Sequence, residues 1–395
     1  MHYRAGVYSE SVLVIASART SFARGDWKKH KRKMPSEQVL KELQELHFAD
    51  DVELPPEAAE WTREEASRFL ESGGTERPAA ASAAPPPPPK GVFRWTVVTD
   101  EKVWDPKDQE WALLLSMLPE DESTKVMRFK FRADQKRALV SRLLQRRAAF
   151  EATGVAFDRV NIARTKGQKP YMTNRPKSVE GLGANWNYNV SHEGNYVALA
   201  AEPVLLCGID VAAPGQVRGG NDSLDEALEV MRGQFTKKEF AFVKGHKTER
   251  TMEDAFRKLW SLKEAYTKAR GDGIAFEFLR CEFQLGGPGS GEGVEPGQSV
   301  ETASLKVDGK PMPEWHFFIQ SMGDDHWVST SRGPPTDAVD ALGGFKKTFG
   351  QAVVPPLDAK AHAARPEPAF VTKTVADLVP DALRAKYERL AKAHI

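Results

Sequence analysis

Cysteine is nearly absent: the 395 residues contain two, Cys207 and Cys281. Two thiols cannot build a disulfide framework or a Cys-based zinc site, and they fit a reducing compartment. An excess of charge of one sign is missing too. Lys and Arg number 56 against 55 Asp and Glu, a formal net charge of +1, so the chain as a whole has no electrostatic drive toward nucleic acid or an anionic membrane. Long apolar runs are lacking. The most apolar stretches, residues 12–17 and 197–211, are short or broken by Glu202, Pro203 and Asp210, far from the ~20 apolar residues of a membrane-spanning helix. Several stock motifs are absent as well: GxxxxGK[ST], GxGxxG after a strand, HExxH and GxSxG.

What is present describes a mixed globular chain with irregular ends. Its length allows roughly two to three domains. The 41% hydrophobic fraction suffices for ordinary cores, while 26 prolines and 30 glycines imply long irregular stretches. Residues 1–90 do not read as one domain. Arg19, Arg24, Lys28, Lys29, Lys31, Arg32 and Lys33 are opposed only by Asp26, a composition shared by organelle transit peptides and by plain basic leaders. Short helical patterns at 36–46 and 61–70 precede AAASAAPPPPPK at 79–90, a semi-rigid polyproline spacer that cannot join a core. From residue 91 the texture is that of a folded unit. It offers a strand at 91–98, a helix across 120–147 and a hairpin at 196–211 turning on Ala201–Glu202–Pro203. Helices follow at 224–232, 237–244 and 253–270, with strands at 276–285, 316–321 and 326–331. GGPGSGEGVEPG at 286–297 reads as a flexible insertion, and past Arg332 the pattern fades into Pro- and Ala-rich sequence with one further helix at 376–393.

Four groups of polar residues stand where apolar ones are expected. Asp210 closes the apolar run CGIDV and either caps the next turn or holds a cation, since an unpaired acid is costly to bury. NWNYNVSH at 185–192 alternates Asn187, Asn189 and Ser191 with Trp186, Tyr188 and Val190; it is a strand with one apolar and one polar face, ending in a Ser–His pair that is weak evidence for a hydrolase. FRKLWSLKEAYTKAR at 256–270 places Phe256, Leu259, Leu262, Tyr266 and Ala269 on one helical face. Glu264 and Lys268 then sit at i,i+4, which alone is an exposed ion pair worth about 0.3–0.5 kcal/mol. Finally Lys125, Arg142, Arg164, Lys166 and Lys169 supply cations, with RTKGQKP at 164–170 forming either a phosphate-holding turn or a solvated loop.

In order, RTKGQKP, NWNYNVSHEGNYVALAAEP, GIDV, FTKKEF and FRKLWSLKEAYTKARGDGIAF make residues 91–332 resemble a 4′-phosphopantetheinyl transferase of the monomeric eukaryotic type. The GID element and W-x-[LK]-K-E-[AS]-x-x-K-A at this spacing are highly specific, and the SH element upstream strengthens them. The resemblance implies an α+β fold with two similar α/β halves, 91–206 and 207–332, related by a pseudo-twofold axis. CoA would lie between them, and disordered N- and C-terminal extensions, 1–90 and 333–395, would flank them.

Carried over by position, the resemblance gives Asp210 and Glu264 as magnesium ligands. Lys268 and His192, with Ser191 beside it, lie on the CoA phosphates. Arg164 grips the 3′-phosphate side, and Lys125 stands where an arginine of the same site is expected. Glu264 is the implied base for a serine hydroxyl of an apo acyl or peptidyl carrier protein, which attacks CoA and releases adenosine 3′,5′-bisphosphate. Two departures bear on the metal. Ala212 stands where bacterial relatives carry a further acid, and Glu193 stands where the eukaryotic type has glutamine, so Glu193 is expected to restore a third carboxylate to the metal's surroundings. The implied partners are CoA, Mg²⁺ and apo-carrier domains, with no nucleic acid and no membrane, in a cytoplasmic monomer whose basic leader leaves organelle targeting open. The carrier itself, whether of fatty-acid, polyketide, peptide or aminoadipate metabolism, is not named by the sequence. A catalytically inactive CoA-cleft protein serving as a carrier-binding module is the alternative.

Overall fold

The computed structural model describes residues 88–392 apart from 216, 218–222, 290–299, 324, 352, 356–359 and 364. The basic leader, the helical patterns at 36–46 and 61–70, and most of the spacer and the glycine-rich insertion lie outside these residues.

Leu139, Leu143 and Leu144 recur at helical spacing and are fully buried, which contributes about 1.5–3 kcal/mol for each side chain. They lie on α3 (Arg132–Thr153), which follows α1 (Asp108–Ser116) and α2 (Glu120–Met127). Gly154 ends α3 in the left-handed conformation, φ +72°, which glycine adopts without a Cβ penalty. The helix expected across 120–147 is thus two. The chain between them is extended at Phe131, where the Gln135 side chain donates to Phe129 O at 2.9 Å. Helix α3 packs on a sheet containing β1 (Phe93–Val98), β4 (Asn187–Glu193) and β5 (Tyr196–Glu202). A two-stranded ribbon, β2 (Ile162–Arg164) with β3 (Pro170–Met172), carries the RTKGQKP turn.

The second half repeats the plan. β6 (Leu206–Ala212), β7 (Cys281–Gly289), β8 (Val300–Val307), β10 (His316–Met322) and β11 (His326–Gly333) pair in the order β6-β11-β10-β8-β7, with the short β9 (Lys310–Pro311) beside β8. Helices α4 (Leu224–Met231) and α5 (Lys237–Lys244) lead into α6 (Glu249–Arg270), which lies across β6 and β11. The α6 face carrying Phe256, Leu259, Leu262, Tyr266 and Ala269 is buried as its spacing implied. Tyr266 meets Trp315 edge-on, ring centroids 4.7 Å apart. Each half therefore sets one 22-residue helix on a sheet, the α+β architecture that was expected.

Two expectations fail here. The hairpin at 196–211 does not form: β5 pairs with β1 and β4, while β6 pairs with β11 in the other sheet. Glu202 marks a crossover, and the true hairpin is β4–β5, turning at Gly194, φ +53°. The C-terminal extension is not disordered. β12 (Val371–Lys373) adds to the first sheet in parallel with β1, giving the order β12-β1-β5-β4. α7 (Val375–Leu378) and α8 (Asp381–Lys392) follow, with Leu378, Val379 and Tyr387 in the first-half core.

The C-terminal segment is anchored by charges that the sequence scatters over 270 positions. Arg94 of β1 reaches Glu202 and Glu367, each at 2.5 Å, and Arg365 reaches Glu202 at 2.6 Å. Arg332 pairs with both Glu202 and Glu367. Arg94, Glu202, Arg332 and Glu367 have no exposed side-chain surface. Burial alone would raise the Glu202 carboxyl, but Arg332, Arg94 and Arg365 hold it down to about 2. Removing one member would leave an uncompensated buried charge.

Candidate active site

The alternation in NWNYNVSH sends residues to opposite faces of β4. Trp186 and Tyr188 enter the first-half core. Asn187, Asn189 and Ser191 face β6, which is the edge strand of the second sheet. Buried edge N–H groups need acceptors, and these side chains supply them. Cys207 N donates to Asn187 Oδ1 at 3.0 Å, Ile209 N to Asn189 Oδ1 at 3.1 Å, and Val211 N to Ser191 Oγ at 3.3 Å. Lys169 joins the same seam, donating to Cys207 O at 2.7 Å. Its ammonium, which burial pulls down to about 8, is committed there and is not a free phosphate contact.

Asp210 sits on β6 between the last two rungs. Gly208, two residues before it, allows α6 to approach: a Cβ at 208 would stand 2.0 Å from Ala265 O and 2.7 Å from Ala269 N. That close approach brings α6 residues to the acid. Lys268 Nζ donates to Asp210 Oδ1 at 2.5 Å and to Ser191 Oγ at 3.1 Å, while Ser191 Oγ donates to Asp210 Oδ1 at 2.9 Å. Lys268 therefore does not form an exposed i,i+4 pair with Glu264: its ammonium is bonded to Asp210, and Glu264 is itself half-buried.

The electrostatics place further groups around this centre. Burial, partly offset by Lys268 and reinforced by Asp210, pushes the Glu264 carboxyl up to about 7. Burial and then Asp210 do the same for Glu193, also to about 7, against Arg137 and Lys268. Asp210 is itself raised by burial, against Lys268 and Ser191. For Lys268 burial acts to lower the pKa, but the carboxylates of Asp210, Glu264 and Glu193 outweigh it and hold the ammonium above its ordinary range. His192, on the opposite face of β4 from Ser191 and Glu193, is pushed down to about 3 by burial and then by Arg137, Lys268, Arg142 and Arg164. A neutral imidazole within electrostatic reach of four cations is a place suited to anionic oxygens.

Asp210, Lys268 and Ser191 thus bond to one another, with Glu264, Glu193 and His192 within electrostatic reach, while Arg164 is exposed on the β2–β3 ribbon, donates to Gln168 O at 3.0 Å and acts on His192 only through its charge. Lys125 does not join them: it is exposed on α2 and pairs with Asp121 at 2.9 Å. Arg142 does act on His192, and so does Arg137, which the sequence reading missed. Arg137 donates to Gly194 O at 2.7 Å. The signal for it lay in the α3 periodicity, where 137 and 142 fall beside the buried stripe. Ser191, expected on CoA, is buried, with its hydroxyl turned to Asp210, Lys268 and Val211 N.

Among the described residues no group of three or more His, Cys, Asp or Glu side chains is arranged to hold a metal by itself. Mg²⁺ is usually held by one or two carboxylates together with substrate phosphates and water. Asp210 and Glu264, whose mutual repulsion a cation would relieve, fit that mode.

Acids suited to a cation, set beside ammonium and guanidinium groups suited to phosphate oxygens, are the equipment of a transferase acting on a phosphate ester or anhydride. The comparisons specify it. The family model described as "4′-phosphopantetheinyl transferase, N-terminal" matches residues 102–204, and that of the 4′-phosphopantetheinyl transferase superfamily matches residues 206–328. The chain is 33% identical over 232 residues, 59% of its own length and 72% of the relative's, to L-aminoadipate-semialdehyde dehydrogenase-phosphopantetheinyl transferase of Pongo abelii. It is 30% identical over 243 residues (62% and 76%) to the protein of that name in Xenopus laevis. It is also 32% identical over 232 residues (58% and 74%) to a phosphopantetheinyl transferase of a Thraustochytrium species. The chain belongs to the 4′-phosphopantetheinyl transferase family. It is a transferase that moves phosphopantetheine from CoA to carrier proteins.

Proposed function

We propose that the reaction is Mg²⁺-dependent and runs at the Asp210–Lys268 centre. The observation that carries this is the convergence of Asp210 with Lys268 at 2.5 Å and with Glu264 and Glu193, two acids raised to about 7, beside His192 and its four cations. The CoA pyrophosphate lies against Lys268 and His192, and Arg164 and Arg142 serve the nucleotide's phosphate side. Asp210 and Glu264 hold the metal, with Glu193 adding a third carboxylate nearby; when bound, the ion neutralises charge on the pyrophosphate. Glu264 is suited to take the proton of the carrier serine, directly or through a water. The serine oxygen bonds to the β-phosphorus, the bond to the bridging oxygen breaks, and adenosine 3′,5′-bisphosphate leaves. Both halves of the cleft come from one chain, so the enzyme works as a monomer, and two buried free cysteines suit a reducing cytoplasm.

The names of the vertebrate relatives point to the carrier domain of an aminoadipate-semialdehyde dehydrogenase as the substrate. Labelled CoA, Mg²⁺ and a panel of apo-carriers, including fatty-acid, polyketide and peptide types, test the reading. Label is expected on a carrier serine with one equivalent of adenosine 3′,5′-bisphosphate, and Asp210→Ala and Glu264→Ala are each expected to abolish it without loss of fold. Near-parental turnover in either variant at saturating Mg²⁺ would sink the metal-site assignment.

A further inference from the structure

The rungs joining β4 to β6 have a regularity that stability alone does not require. The pairs are Asn187 with Cys207, Asn189 with Ile209 and Ser191 with Val211, a constant offset of 20 residues, so the strands run in the same direction with side chains where backbone pairing would be. Two rungs are asparagines. The third, at the Asp210 end, is a serine, whose oxygen stands on an arm one bond shorter. That last hydroxyl does three things at once: it accepts from Val211 N and from Lys268 Nζ and donates to Asp210 Oδ1 at 2.9 Å. The first rung is tied down most firmly, since Asn187 Nδ2 also donates to Leu205 O at 2.8 Å and Asn185 O at 3.0 Å.

We infer that this side-chain ladder is a register device: Asn189 is a positioning residue for transfer, holding Ile209 so that Asp210 meets Ser191 and Lys268, although Asn189 touches no reactant. The inference rests on the transferase reading above. Its physical basis is that errors near 1 Å at the reacting centre cost about 10²-fold in rate. β6 carries Asp210 one residue beyond Ile209, so slack at the middle rung is passed directly to the carboxylate. Slack at the Asn187 rung is absorbed by two intervening hydrogen-bonded residues.

The test compares Asn187→Ala and Asn189→Ala in the full chain, reading kcat, KM for CoA and melting temperature. A purely structural ladder makes both quantities follow the number of bonds lost, with Asn187→Ala worse in each. A register ladder reverses one order. Asn187→Ala then has the lower melting temperature, while Asn189→Ala loses about tenfold or more in kcat with KM for CoA little changed. Asn189→Ser keeps an oxygen acceptor on a shorter arm and serves if the alanine chain does not fold; a loss of about threefold in kcat is expected, again without a change in KM. Hydrogen exchange gives a readout independent of turnover: the Val211 amide is expected to exchange faster in Asn189→Ala and to stay protected in Asn187→Ala. A kcat order that follows melting temperature, parental kcat in the Asn189 variants, or equal protection of Val211 in both alanine chains overturns the inference. A parent that transfers nothing overturns the transferase reading instead, and the exchange result still decides the ladder.

Discussion

Replacing Gly208 with alanine attacks the step that brings the two sides of the cleft together. A Cβ there falls 2.0 Å from Ala265 O and 2.7 Å from both Ala269 N and Ser331 Oγ, where ordinary contact begins at 3.4 Å. Ser331 can turn away, but the other two atoms are α6 backbone. The helix must then retreat from β6 by about 1.4 Å at the Ala265 turn. Glu264 and Lys268 ride on that turn, so the 2.5 Å Lys268–Asp210 contact opens to about 4 Å, beyond hydrogen-bond reach. A shift of that size is expected to lower kcat by about 10²-fold. Overpacking of this kind costs about 1–3 kcal/mol, a few degrees of melting temperature, which leaves the protein folded at assay temperature. Transfer of labelled phosphopantetheine to an apo-carrier, beside a thermal melt of the same preparation, measures both. A Gly208→Ala chain with kcat within about threefold of the parent would refute the argument that helix approach sets the Asp210–Lys268 geometry.

Lys268→Ala and Arg164→Ala should damage different quantities: losing the ammonium beside the reacting phosphates is expected to lower kcat by about 10²-fold. If Arg164 holds the non-reacting 3′-phosphate as proposed, its loss is expected to raise KM for CoA by about tenfold and to make dephospho-CoA nearly as good a substrate as CoA, which steady-state kinetics with both substrates would show. Glu193→Gln removes a carboxylate near Asp210 and is expected to shift the Mg²⁺ titration to higher concentration while leaving CoA affinity at saturating metal unchanged; an unaltered titration means Glu193 takes no part in holding the metal. Glu367→Ala leaves Arg94 and Arg332 buried without one of their two carboxylates and is expected to cost on the order of 3–5 kcal/mol, read as a lowered urea midpoint. A midpoint equal to the parent's would mean that the network relaxes to water.

The chemistry of this chain was more legible than its connections. Asp210, Glu264 and Lys268 are named only by the resemblance that GIDV and SLKEAYTKA carry; on spacing alone Asp210 serves equally as a turn cap, and Glu264 with Lys268 as an exposed ion pair. The buried stripe of α6 was legible by itself, since 3.6-residue periodicity survives in the sequence. The crossover at Glu202 was not. Two apolar runs flanking a proline read as a hairpin, and what separates them is a charge network whose partners Arg332, Arg365 and Glu367 lie 130 or more residues on. The same long range hid the docking of β12, because three residues, VTK, carry no pattern until β1 lies beside them. The polar face of NWNYNVSH was visible, but not that it faces another strand's backbone: asparagine at every second position looks the same whether it meets water or an N–H group.

The return of the chain to its first strand has a consequence for synthesis. β1 is made early, but its outer neighbour β12 and the carboxylate of Glu367 come some 270 residues later. Until they emerge, Arg94 must sit beside Glu202 alone, with an unpaired strand edge next to it. Vectorial synthesis can close the second half's sheet, β6 to β11, while the first half still waits for its last strand. Contacts so distant in sequence form slowly, and they form last here by necessity. A ribosome-bound chain short of residue 367 would hold Asp210, Glu264 and Lys268 yet lack both β12 and the Glu367 carboxylate that pairs with Arg94 of the first half and Arg332 of the second.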